Sequence, residues 1–163
     1  MKLTAKIRLV KDGAVVPDQA SEDDVGYDLC AGENTEIMKG ELAIIPTGLI
    51  VEPPKGYNFE VRLRSSTPRK YGLLIPHGMG TIDPSYCGHG DELGVPVYKF
   101  SDGTKDKMNP LSKALGYGSS VMINKGDRIA QLVLVKTNYF QWEDVTDHPH
   151  EGKTRGGFGS TGE

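Results

Sequence analysis

Apolar and polar residues alternate with a period of two along most of the chain, and that period predicts strands rather than helices. Residues 3–10 (Leu-Thr-Ala-Lys-Ile-Arg-Leu-Val) alternate as a half-buried strand does. Comparable segments follow at 25–31, 34–38, 42–46, 48–52, 57–64, 94–100, 120–124 and 127–136, and Leu132 to Val135 is apolar on both faces. Turn residues divide them, at Lys39-Gly40, Pro46 and Glu52-Pro53-Pro54-Lys55-Gly56. One brief helix is expected over 65–72, where a Ser can cap the start and Pro68 falls in the first turn. The glycine-punctuated stretch His77 to Tyr86 reads as a tight hairpin.

Residues 101–119 carry Gly, Pro, Lys and Ser throughout and no apolar period, so they read as an excursion out of the sheet in which Leu111 to Leu115 forms at most one helical turn. After Trp142 the periodicity disappears, and 141–163 reads as a C-terminal arm on a β domain spanning 1–140. Many short strands with no interleaved helices predict an all-β barrel or sandwich.

Composition narrows the function classes. At 163 residues the chain is long enough for one domain with a real core. A net charge of −3 gives no support to a nucleic-acid partner, so any phosphate site must be local. Two cysteines, Cys30 and Cys87, make neither a disulfide framework nor a ligand cluster, and a reducing, cytoplasmic compartment is expected. No apolar run approaches the length of a membrane span, and Met1 to Thr4 leads straight into the first strand, so no leader is expected.

Candidate chemistry sits at five places. Asp28 is a carboxylate inside an apolar strand; it either pairs with an Arg or a turn, or serves as a hard-oxygen ligand to Mg²⁺, directly or through water. Arg62 and Arg64 with Ser65 and Ser66 bring guanidinium, hydroxyl and amide groups together at a strand end, which suits a phosphate oxygen or a solvated cap. In Gly80-Thr81-Ile82-Asp83-Pro84-Ser85-Tyr86, Ile82 would pack inward and leave Asp83 where a water could be oriented; Asp-Pro is equally a plain turn signal. Gln131 in Ile129-Ala130-Gln131-Leu132 must find partners, a phosphate or a backbone group. Lastly, Arg155-Gly156-Gly157-Phe158-Gly159-Ser160-Thr161-Gly162-Glu163 is too small and polar to fold alone. It is either a frayed end or a mobile arm that offers anion donors and one stacking ring.

Taken together these segments resemble the homotrimeric deoxyuridine triphosphate nucleotidohydrolases (dUTPases). Five motifs appear in that family's order: Gly26-Tyr27-Asp28-Leu29, Arg64-Ser65-Ser66, Gly80 to Gly88, Gly126-Asp127-Arg128-Ile129-Ala130-Gln131-Leu132, and Gly156 to Gly162. The resemblance implies a jelly-roll-like β-barrel of the dUTPase β-clip kind, a homotrimer, and sites built from all three chains that the flexible arm closes. It implies Asp83 as the base that activates a water, dUTP as substrate, and dUMP and pyrophosphate as products. That reaction would limit uracil in DNA and supply dUMP. It implies phosphate contacts from Arg64, Ser65, Ser66 and Gln131, a sugar contact from Tyr86, and base contacts around His77, Gly80 and Ile82. Phe158 and Gly159 would cover the base, Ser160 and Thr161 the γ-phosphate, and Asp28 would hold a water on Mg²⁺.

The chain departs from the pattern in three places. Lys153 stands where the family usually has Arg, with Arg155 two residues on, so either could meet the γ-phosphate. His89 to Leu93 lengthens the segment after the third motif, and 101–119 exceeds the usual connection. The alternative of a different class is a non-catalytic relative that binds partner proteins through the inserted segments, and an active enzyme could also make protein contacts through 101–119. A same-fold deaminase acting on dCTP is the rival enzyme, though no catalytic Glu stands in the matching strand.

Overall fold

The computed structural model describes residues 3–106, 119–147 and 152. Its elements run β1 (Lys6–Leu9), β2 (Gly26–Cys30), β3 (Thr35–Met38), β4 (Leu42–Pro46), β5 (Leu49–Glu52), β6 (Tyr57–Leu63), α1 (Thr67–Tyr71), β7 (Leu73–Leu74), β8 (Gly80–Ile82), β9 (Gly94–Lys99), β10 (Ser120–Ile123) and β11 (Arg128–Lys136). The fold is all-β and jelly-roll-like. Pairing is antiparallel throughout and divides into four sheets, ordered β1-β5, β10-β3, β2-β11-β6-β8 and β4-β9-β7. Among the described residues no helix is long and apolar enough to cross a membrane.

Inward positions of these strands supply one core. Leu29, Ile37, Ile45, Leu49, Val61, Val95, Val97, Val121, Ile123 and Ile129 are all buried in it. The period-2 pattern therefore places both the strands and the faces they bury.

Three expectations are corrected. The first strand is not half-buried: all four of its residues are exposed, because it pairs with β5 along one edge only. Ile7 looks onto a cavity of about 270 Å³ lined also by Leu3, Val16, Tyr27, Phe59 and Leu134. The stretch 77–86 is not a hairpin, since β7 pairs with β9 whereas β8 pairs with β6. It carries the chain from one sheet to another. The helix forms with Pro68 in its first turn, but Ser66 at its N-cap makes no side-chain cap bond. With φ −80° and ψ −18° it is already helical, and its hydroxyl cannot reach back as an extended cap residue does.

The excursion is described only at its roots, 101–106 and 119; the helical turn and the protein contacts expected within 107–118 lie outside the described residues. Of the C-terminal arm, 141–147 and 152 are described. Just after β11, Tyr139, Phe140 and Trp142 are exposed, Trp142 to 89%, with Phe140 and Trp142 in edge-to-face contact at 5.1 Å.

Candidate active site

The sheet β2-β11-β6-β8 carries the first four motifs. In it Gln131 of β11 stands opposite Asp28 of β2 on one side and Arg62 of β6 on the other. Cross-strand partners share a face, and the Gln131 amide donates to Asp28 Oδ1 at 3.1 Å. Arg64, one residue past the end of β6, forms an ion pair with the same oxygen, its Nε 2.9 Å away. Arg128 Nη1 reaches Asp28 Oδ2 at 3.3 Å. Asp28 itself is 7% exposed. A buried carboxylate needs such partners, because desolvation without them would force it to neutralise.

The close fit explains the glycine of the first motif: a Cβ on Gly26 would lie 3.0–3.1 Å from the Gln131 carboxamide. The Asp28 backbone is pinned as well, its N–H donating to the Asp18 carbonyl at 2.8 Å. Ser65 is exposed and Ser66 half-buried at the turn that follows Arg64. Thr67 locks that turn to the fourth motif through a 2.7 Å bond to the Ile129 carbonyl. Arg62, expected alongside Arg64, is held instead by Glu60 at 3.0 Å.

Sequence reasoning missed Arg128. It was legible only through register, since β11 starts opposite Cys30 and a bulge between Arg128 and Ala130 swings the guanidinium toward Asp28. Together Arg64, Arg128, Gln131 and Asp28 form a cationic cluster with spare guanidinium N–H groups.

The third motif is built differently. Asp83 follows β8, and Tyr86 N–H closes the turn on the Asp83 carbonyl at 3.0 Å. Asp83, His77 and Tyr86 are all exposed, Tyr86 to 41%. Ile82 is half-buried against the core as expected, and Gly80 stands opposite Val61. His77 donates Nδ1–H to the Met79 carbonyl at 2.8 Å, which fixes its tautomer. The phenol of Tyr86 donates to the Glu92 carbonyl at 3.1 Å. The Glu92 carboxylate in turn accepts from Gly48 N–H at 2.9 Å and pairs with Lys11 at 3.1 Å. Leu93, fully buried, roots this segment in the core, so the lengthened stretch 89–93 acts as a post for Tyr86.

Register sets the distance between the two halves. Asp83 follows Ile82, which pairs with Phe59, so it lies four positions along the sheet and three strands across from Asp28. That separation is about 20 Å. One chain therefore brings Asp28, Arg64, Ser65, Ser66 and Gln131 together but leaves Asp83, Tyr86, His77, Gly80 and Ile82 as a second cluster. Lys153, Arg155, Phe158, Gly159, Ser160 and Thr161 lie outside the described residues.

The donor set bears on a metal. Among the described residues no three His, Cys, Asp or Glu side chains converge. Asp28 Oδ1 accepts from Gln131 and faces the Arg64 guanidinium, while Oδ2 accepts from Arg128 and keeps a lone pair for a water. This suits Mg²⁺ held through water, an ion that draws its other ligands from phosphates.

A profile of the dUTPase family matches residues 12–104 and 116–162, passing over 105–115 within the polar excursion. The deoxyuridine 5'-triphosphate nucleotidohydrolase of Leptospira interrogans is 34% identical over 161 residues, covering 96% of this chain and 97% of that protein. That of Clostridium tetani is 31% identical over 159 residues, covering 98% and 97%. Among solved structures, the dUTPase of Staphylococcus bacteriophage 80alpha with dUpNHpp superposes with a TM-score of 0.74 at 27% identity, over 98% of this chain and 99% of that one. A variant of the dUTPase from phage phi11 of S. aureus, solved with a structural Mg(II) ion, gives a TM-score of 0.71 at 25% identity, over 87% and 96%.

Proposed function

The chain belongs to the dUTPase family, and from that premise we propose that it hydrolyses dUTP to dUMP and pyrophosphate in sites shared between copies of a homotrimer. One observation carries the reading: the second and fourth motifs, far apart in sequence, converge on Asp28 of the first, leaving Arg64, Arg128 and Gln131 as a preformed polar face. Such a face suits a triphosphate, because ionised donors fixed in place need no reorganisation when the anion arrives.

In the proposed reaction Asp83 accepts a proton from a water as its oxygen bonds to the α-phosphorus. The bond from that phosphorus to the bridging oxygen breaks, and pyrophosphate leaves. Arg64, Ser65, Ser66 and Gln131 hold the phosphates and spread the charge that develops. Tyr86, steadied by the Glu92 carbonyl, packs against the deoxyribose and leaves no room for a 2′-hydroxyl. His77, Gly80 and Ile82 border the base. From the arm, Phe158 stacks on uracil over Gly159, Ser160 and Thr161 meet the γ-phosphate, and Lys153 or Arg155 adds the cation. When bound through the water on Asp28, Mg²⁺ supplies charge neutralisation along the triphosphate.

The split between the two clusters supports assembly, since a triphosphate cannot span about 20 Å of sheet and Asp83 must then come from another copy. The exposed Tyr139, Phe140 and Trp142, and the open apolar cavity behind β1, are surfaces of the kind an obligate oligomer covers. Free Cys30 and Cys87 are in keeping with a reducing cytoplasm.

The test is pyrophosphate release from dUTP, dCTP, dTTP and UTP with Mg²⁺. Turnover of dUTP alone is expected. Ammonia released from dCTP would favour the deaminase instead, and no turnover of any of the four would overturn the enzyme reading.

A further inference from the structure

Lys99, the last residue of β9, points inward with Val95 and Val97 and is 0% exposed. Its ammonium donates to both oxygens of Asp106, at 2.9 and 2.7 Å, to the Ser101 carbonyl at 3.0 Å and to the Tyr71 carbonyl at 3.1 Å. A buried charge persists only when it is paired and hydrogen-bonded in this way. The consequence is mechanical: residues 100–106, the first root of the polar excursion, wrap around the ammonium.

Tyr71 is also the last residue of α1. A helix leaves its final carbonyls without partners, and here the same root supplies them. Thr104 N–H donates to the Arg69 carbonyl at 3.1 Å and Lys105 N–H to the Lys70 carbonyl at 2.9 Å, while Lys99 takes Tyr71. The Tyr71 phenol is buried beside Asp127; burial first, then that carboxylate, hold its pKa above the ordinary value. The C-terminal end of α1 is thus gripped from two sides. Its other end begins at Thr67, directly after Ser65 and Ser66. Five residues of helix make a lever of about 8 Å.

We propose that Lys99 and Asp106 are positioning residues for the phosphates of the substrate. Through Tyr71 and α1 they set the place of Ser65, Ser66 and the adjoining Arg64, and so make the root of the excursion part of the binding machinery. The proposal rests on the dUTPase reading for its substrate, but the grip on α1 exists without one.

The test uses three forms of the full chain. Lys99→Met with Asp106→Leu removes both charges and keeps the volume, a change that folds often tolerate. Gly103→Ala keeps both charged side chains but sets a Cβ against the Lys70 carbonyl, forcing the root off the helix end. The unaltered chain is the reference. Each is measured for pyrophosphate release from dUTP, for thermal unfolding, and, without substrate, for amide hydrogen exchange at Lys70 and Gly72, whose N–H groups bond to the Ser66 and Pro68 carbonyls.

Both variants should raise KM for dUTP about tenfold, the loss expected for one displaced charged contact, with kcat within about twofold. Exchange at the two amides should rise about tenfold while the melting temperature of the double variant stays within about 3 °C. An unchanged KM in a folded double variant overturns the proposal, as does a raised KM with unchanged exchange in α1. Should the double variant fail to fold, Gly103→Ala decides by the same readings. If the unaltered chain releases no pyrophosphate from dUTP, the dUTPase reading fails instead, and exchange alone decides whether the root holds α1.

Discussion

The two ends of the β2-β11-β6-β8 sheet are built on opposite plans. At one end Asp28 is buried and engaged by Arg64, Arg128 and Gln131, all within 3.3 Å. At the other, Asp83 and Tyr86 stand exposed on a turn held by backbone bonds and by the Glu92 post. The first end has to be complete within one chain, because a buried charge without partners would unfold it. The second has no such debt. In the proposed trimer it can wait for substrate and for a second copy to exclude water, and Asp83 would act only in that closed site.

That contrast predicts opposite responses to mutation. Asp83→Asn should cost the most activity, about 10²–10⁴ in kcat, since it removes the proposed base. It should leave the melting temperature and the oligomer unchanged, because nothing buried depends on it; thermal unfolding and gel filtration beside the activity assay check both halves. Asp28→Asn should do the reverse in kind. Removing the charge that two guanidiniums share should lower stability by about 1–3 kcal/mol, seen as a fall in melting temperature of several degrees, in addition to weakening dUTP binding. A wild-type melting temperature for that variant would show that the cluster is not wired as described.

Glu92→Ala sharpens the comparison at the exposed end. Without its clamp to Gly48 and Lys11 the post under Tyr86 loosens, and the preference for dUTP over UTP should fall about five- to tenfold in kcat/KM with little change in stability. The smallest effect concerns Asp102 at the excursion root. Bonding to Ser119, then to Lys39, holds its carboxyl below the ordinary carboxylate value. A depressed folded pKa adds stability above the unfolded pKa that is lost as pH falls through the folded one, so this contribution is complete at neutral pH. Ser119→Ala should move the Asp102 titration, followed by NMR, back up toward the ordinary range.

Much of this was legible in the sequence for a physical reason. Period-2 alternation reports burial directly, so nearly every predicted strand appears within a residue or two of its place. The run Val95, Val97, Lys99 even carried the signal that Lys99 points inward, although a lysine is seldom read that way. Asp28 was open to either an Arg partner or a metal role, and the Arg partner is what its strand neighbours supply. What could not be read locally is pairing. Residues 77–86 have the glycines of a hairpin, yet their flanking strands belong to different sheets, and Arg128 becomes a partner of Asp28 only through the register of β11 on β2. The first strand misled because alternation shows which face is apolar and not what covers it.

The central claim is that the two clusters meet only between copies. Asp83→Asn and Arg64→Gln chains, each inactive alone, can be co-expressed with different tags and the mixed oligomers purified. If each site takes Asp83 from one copy and Arg64 from another, every mixed trimer of either composition holds one intact site in three, and the purified mixture should recover about a third of the wild-type rate of pyrophosphate release from dUTP. A mixture as inactive as its parents would place the whole site within one chain and contradict the account.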